Sequence, residues 1–138
     1  MPLRVLSLAL GTFLLFMGLD KLDWFLDAGF LTRRLQEWQG TARPMARWYL
    51  ETIAIPGAPV FARLVPLGEL STAAALILGF RVRWAAAVAL LMILNFHFAS
   101  DIILRYDYLI NAYGLPILGG LAALVLGGKR LPMSVSKT

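Results

Sequence analysis

The chain has 138 residues, 59% of them hydrophobic and only 15% charged, with a mean hydropathy of +0.73; soluble domains run nearer about 45–50% apolar and about 25% charged, so this is the composition of one integral membrane domain. It has no cysteine and a single histidine, His97, which excludes disulfides, thiolate zinc sites, iron–sulfur ligation, thiol catalysis and a haem held by two protein ligands, and leaves a chlorophyll-type pigment on His97 as the one such ligation open to it. The net charge of +5 is assigned to basic residues flanking membrane spans rather than to nucleic-acid binding.

Charge punctuation divides the chain into four apolar runs: Val5 to Leu19, Leu64 to Phe80, Trp84 to Ser100 and Tyr108 to Gly128. At 1.5 Å per residue these are roughly 22–32 Å long. The expected architecture is an all-α, integral membrane four-helix bundle, with spans over about 4–22, 62–80, 83–101 and 108–128. The first run follows Arg4 and lacks a small-x-small cleavage pattern before Asp20, so it reads as a retained span rather than a secretory signal. Small residues recur at helical steps, namely Ser7, Gly11 and Gly18 in the first run, Gly68, Thr72, Ala75 and Gly79 in the second, and Gly119, Ala123 and Gly127 in the fourth. Such stripes let helix backbones approach closely in lipid.

Residues 23–59 form the one long connection. Leu31, Leu35 and Trp38 fall at helical spacing with Arg33, Arg34 and Glu37 on other faces, which predicts an amphipathic helix in the membrane interface. A second short helix is expected from about Pro44 to Ile53, stopped by the Ile-Pro-Gly-Ala-Pro sequence of residues 55–59. The connection reads either as a lid over one end of the bundle or as a passive anchor.

Four spans place Arg4, Arg81, Arg83, Lys129, Arg130 and Lys137 at one end, six bases with no acid, against seven bases and seven acids at the other. The Arg81-Val82-Arg83 turn and the bases after the fourth run then put both termini in the cytoplasm, across a bacterial or archaeal inner membrane.

Glu69 is the only ionisable residue between Arg63 and Arg81. A carboxylate there costs on the order of 2.5–3.5 kcal/mol unless it is protonated, paired or turned inward. Two roles are open to it: a hydrogen bond that pins helix packing, or a proton or ligand site. Counting rises along each helix brings Glu69, Asn95, His97, Lys21 and Tyr113 to similar depth, roughly 18–25 Å from the basic end. His97 and Asp101 are four apart and can share a helix face, so Asp101 is expected to orient the imidazole; Lys21 is expected to pair with Glu69 or Asp101. Glu69, His97 and Asp101 are thus the candidate catalytic residues, and Lys21, Asn95, His97 and Tyr113 the candidate ligand-binding residues. Hydrogen-bond donors and proton carriers beside aromatic residues would suit a quinone.

The sequences GTFLLFMGLDKL (11–22) and LGELSTAAALILGFRVRWAAAVALLM (67–92), with the terminal GGLAALVLGGKR, resemble the DoxX-like family of small four-helix membrane proteins. That family's hallmark is a glycine-rich first helix ending in a lysine, then a G-E-x-x-x-x-x-x-L-x-L-G-x-x-x-R hairpin; Lys21, Gly68 and Glu69 are the matching residues. The resemblance covers most of the chain except 23–59. It implies a partner of redox enzymes, and in the DoxD type the membrane subunit of a thiosulfate:quinone oxidoreductase. The first functional reading is therefore a subunit associated with quinone-linked electron transfer, with lipid and other redox subunits or further copies of itself as partners. The alternative is a structural or assembly subunit of a larger respiratory or photosynthetic complex, packed against partner helices, lipid or pigment.

Overall fold

The computed structural model describes residues 1–135; Lys137, counted above among the basic residues of one end, lies outside the described residues. Secondary structure among them is entirely helical: α1 (Pro2–Leu19), α2 (Gly29–Thr41), α3 (Pro44–Tyr49), α4 (Ala58–Leu78), α5 (Val82–Ala99), α6 (Tyr106–Leu109) and α7 (Leu115–Gly127). A 3₁₀ turn, Leu22–Phe25, follows α1, and a π-helical turn, Leu50–Ala54, continues α3. Prolines open four of the helices within their first turn, at Pro2, Pro44, Pro59 and Pro116, where the missing N–H would have had no helical partner anyway.

Among the described residues, three helices are long and apolar enough to cross a membrane: α1, α4 and α5, of 18, 21 and 18 residues. The fourth apolar run behaves differently from expectation. Instead of one helix over 108–128 it forms α6, a turn, and α7 of 13 residues, roughly 20 Å long against a hydrocarbon core of about 30 Å. The break has a local cause. The Asn111 side chain accepts the Tyr113 N–H at 2.7 Å, the Gly114 N–H bonds the Asn111 carbonyl, and Pro116 has no N–H to offer the carbonyl of Ala112.

α1, α4, α5 and α7 surround one apolar core: Leu10 and Leu14, Ala73 and Leu76, Val82, Ala85, Ala86 and Ala89, and Leu121 and Leu124. Glycine permits the closest seam, between α1 and α4. A Cβ on Gly11 would sit 2.8 Å from Ile77 Cγ1, and one on Gly18 the same distance from Leu70 Cγ. The stripe expected on the last helix holds in part: Gly127 packs on Leu3 of α1, whereas Gly119 faces open space and Gly120 packs on Leu10 in its place.

At the basic end, Arg4 turns into the bundle. Only 6% exposed, it donates from Nη1 to the Leu76 carbonyl at 3.0 Å and from Nη2 to that of Ile77 at 2.7 Å, with Ser7 Oγ also on Leu76. It thus satisfies carbonyls that the C-terminus of α4 would otherwise bury unpaired. Gly79, at φ 74°, turns the chain there in the left-handed conformation. Arg83 does the same for α7, its Nε donating to the Val125 carbonyl at 2.6 Å.

At the other end the 23–59 connection folds over the bundle and builds a second core, in which Leu31, Leu35, Ala46, Leu50, Ala54 and Ala62 pack with Ala99 of α5. The apolar face of α2 is therefore turned onto protein, where the sequence pattern suggested a membrane surface. Periodicity reports that a face is apolar and not what covers it.

Candidate functional site

α1 ends at Leu19, so Lys21 stands in the turn beyond it rather than on the helix. Its Nζ donates to the Met17 carbonyl at 3.0 Å and to both carboxylate oxygens of Glu69 at 2.9 Å. Side-chain exposures of 12% and 7% make this a buried ion pair, and it answers the cost of placing a carboxylate in α4: the ammonium neutralises the charge and occupies both oxygens. The approach depends on Gly18, over which the Glu69 Cβ lies 3.3 Å from where a side chain would begin. Pro66, buried within α4 one turn before Glu69, withholds an N–H from the helix ladder, and Thr72 Oγ1 bonds the Gly68 carbonyl one turn on, at 2.7 Å.

This pair opens onto a cavity of about 460 Å³. Its polar wall includes Lys21, Glu69, His97, Ser100 and Tyr113; its apolar wall includes Phe13, Met17, Ile93, Phe96 and Ile117; and Trp24, Arg34 and Trp38 of the folded-over connection also line it. Trp24 and Trp38 both lie against Phe96, at ring separations of 6.4 and 6.2 Å, and the Lys21 ammonium sits 5.8 Å from the Trp24 ring, within cation–π range. His97 is held from outside the cavity. Its Nδ1 lies 3.0 Å from the Tyr108 hydroxyl, with the two rings edge to face. Burial pushes the Tyr108 phenol up from its ordinary value, so it stays protonated at neutral pH. A second chamber of about 270 Å³, reached past Arg105, Asp107 and Tyr108, shares His97, Ile102 and Tyr113 with the first.

Four of the six candidate residues, Lys21, Glu69, His97 and Tyr113, therefore meet in one space. Two do not. Asn95 accepts the Tyr49 hydroxyl beside a small void of about 40 Å³ under α2, because it projects from the lid-facing side of α5. Asp101 does not touch His97: it lies past the end of α5 in the left-handed conformation, φ 55°, which carries its carboxylate off the face that a continued helix would give it. There it accepts the Arg43 backbone N–H at 2.9 Å, Arg43 Nε at 2.9 Å and Arg105 Nη2 at 2.7 Å. The Arg43 hydrogen bonds, followed by the Arg105 contact, hold the Asp101 carboxyl well below the usual carboxylate range, and the same partnership raises Arg43. Asp101 is a staple between α5, the start of α3 and the start of α6.

Sequence reasoning missed Tyr108, Arg43 and Arg105 as partners: no local spacing joins Tyr108 to His97 or Arg43 to Asp101, whereas Arg105 stands four residues after Asp101, a spacing that could have signalled that pair. The cavity tryptophans carried a signal, since Trp38 lies on the apolar face of α2 with Leu31 and Leu35.

The DoxX family model matches residues 3–100, a stretch that holds Lys21, Glu69, Asn95 and His97 but stops short of Asp101 and Tyr113. No curated protein and no solved structure matches the chain.

Proposed function

Because the chain belongs to the DoxX family, we propose that it is a membrane subunit associated with quinone-linked electron transfer, whose cavity between α1, α4, α5 and α7 takes the ring of a quinone. The observation that carries this reading is the buried Lys21–Glu69 pair opening onto an aromatic-walled space of about 460 Å³. That volume falls within the range of about 300–1,000 Å³ usual for small-molecule pockets, and its wall sets polar groups among apolar and aromatic side chains as in such sites.

A bound quinone would supply the electron-accepting ring. The chain's own residues supply the rest. Lys21 Nζ, the Tyr113 hydroxyl and His97 offer hydrogen bonds to ring oxygens, while Trp24, Trp38 and Phe96 flank a planar ring and exclude water. Glu69 is the proton station, relayed by Lys21, and Tyr108 positions His97. We assign the electrons to a partner subunit: the chain has no cysteine, and among the described residues no group of three or more His, Asp or Glu side chains is placed to hold a metal ion. Both termini are taken as cytoplasmic in a bacterial or archaeal inner membrane, on the strength of the acid-free basic end.

Gentle detergent purification of the native assembly, with mass spectrometry of its proteins and extracted quinones, tests the reading. Stoichiometric quinone is expected, falling roughly tenfold or more in Glu69→Gln and in His97→Ala as each loses a hydrogen bond to a charged or ring group. A folded chain held among larger subunits, with no quinone and no effect of either substitution on electron transfer, would leave a structural subunit in its place.

A further inference from the structure

At the opposite end of the molecule, a second cavity of about 450 Å³ lies between the α4–α5 turn, the end of α7 and the segment after it, with Arg81, Arg83 and Lys129 in its lining beside Trp84, Val125 and Leu131. We propose that this cavity is a binding site for the phosphate headgroup of an anionic phospholipid drawn from the leaflet at this end.

Three observations converge. The first is charge without compensation: no aspartate or glutamate occurs between Glu69 and Asp101 or after Asp107, and Arg4, within the bundle here, directs Nη1 and Nη2 onto the carbonyls of Leu76 and Ile77. The second is that the cations are presented by built structure. Arg81 is held at φ 43°, a left-handed conformation uncommon for a residue with a side chain and found where surrounding structure imposes it. Arg83 is anchored through Nε to Val125, and the chain after α7 is drawn back against the end of α4 by the Val135 N–H on the Leu78 carbonyl at 3.0 Å, forming a wall of the cavity. The third is position. The site lies where α4 ends and α5 begins, both of them spanning-length helices, and Trp84, 72% exposed, is the aromatic type that sits at headgroup depth. Phosphate charge near the Arg and Lys groups, with acyl chain along Trp84 and Val125, fits a lipid better than a free ion, because the greater part of the cavity wall is apolar. Clusters of bases at the end of spanning helices attract anionic lipid by roughly a fivefold gain in binding per cation.

The full chain in detergent, titrated with phosphatidylglycerol or phosphatidylcholine and read by native mass spectrometry, tests the site. Preferential retention of phosphatidylglycerol is expected. Arg81→Gly combined with Lys129→Gln, which removes two charges and relaxes the backbone at residue 81, is expected to reduce that preference roughly twentyfold, and Lys129→Gln alone roughly fivefold. Arg33→Gln, at the far end, leaves it unchanged. Unchanged preference in Lys129→Gln overturns the proposal even if the double variant fails to fold. Competition by inorganic phosphate as effective as that by lipid also overturns it, by assigning the site to a free ion.

Discussion

Asp101 gathers the Arg43 backbone N–H, the Arg43 guanidinium and the Arg105 guanidinium on one carboxylate, and these hydrogen bonds, that of the Arg43 side chain first, hold its folded pKa below the ordinary carboxyl value of 3.8. A depressed acid stabilises the fold at every pH above its unfolded value and loses that contribution as pH falls through the range below it. The unfolding midpoint of the protein in detergent is therefore expected to decline as pH drops below 3.8 toward the lower folded value, while Asp101→Asn has a lower midpoint at neutral pH, by about 3–8 °C, and a flatter profile across that acid range. A variant whose acid profile matches the parent's would remove Asp101 from this role. Much of each guanidinium is in solvent, which screens the pairs and keeps the effect modest. The helical spacing of four from His97 to Asp101 is visible in the sequence, but the pairing it suggested fails because the chain leaves the helix one residue before Asp101.

The seam between α1 and α4 rests on side chains that are missing. Gly11 and Gly18 let Ile77, Leu70 and Glu69 reach the α1 backbone, and the same closeness brings Lys21 to Glu69. Gly18→Leu is expected to destabilise the protein by about 1–3 kcal/mol through overpacking and to disturb the ion pair with it. Gly119→Ala, placed where nothing lies within 4 Å, should be neutral or stabilise by about 0.5–1 kcal/mol through helix propensity. Denaturation of the two variants in mixed detergent compares them directly, and equal losses would mean that the seam is not glycine-dependent. Both glycines belong to runs of small residues that looked alike in sequence. Their difference lies in what each faces: Gly18 lies against Leu70 and Glu69 of α4, whereas Gly119 has nothing beside it, and the pattern within either helix does not record that.

Two cores divide the molecule: one within the bundle and one beneath the folded-over connection. Asp101 with Arg43, and Tyr49 with Asn95, join them, and the cavity lies at their junction. Leu50 has no exposed surface and belongs to the second core. Leu50→Ala, an expected loss of about 2–5 kcal/mol from the cavity it leaves, should loosen the cover first: tryptophan emission shifts to the red while far-ultraviolet helicity persists. Simultaneous loss of both signals would make the two cores one cooperative unit. Composition, run length and the lone acid of the second run determined that this is a helical membrane protein with a costly carboxylate inside it, because hydropathy and helical period are properties of consecutive residues. The partner of that carboxylate, the inward turn of α2, the break in the last run, and the separation of Asn95 and Asp101 from the cavity were decided by tertiary structure. Each depends on which surfaces distant segments present to one another, and a short-range period carries no record of that.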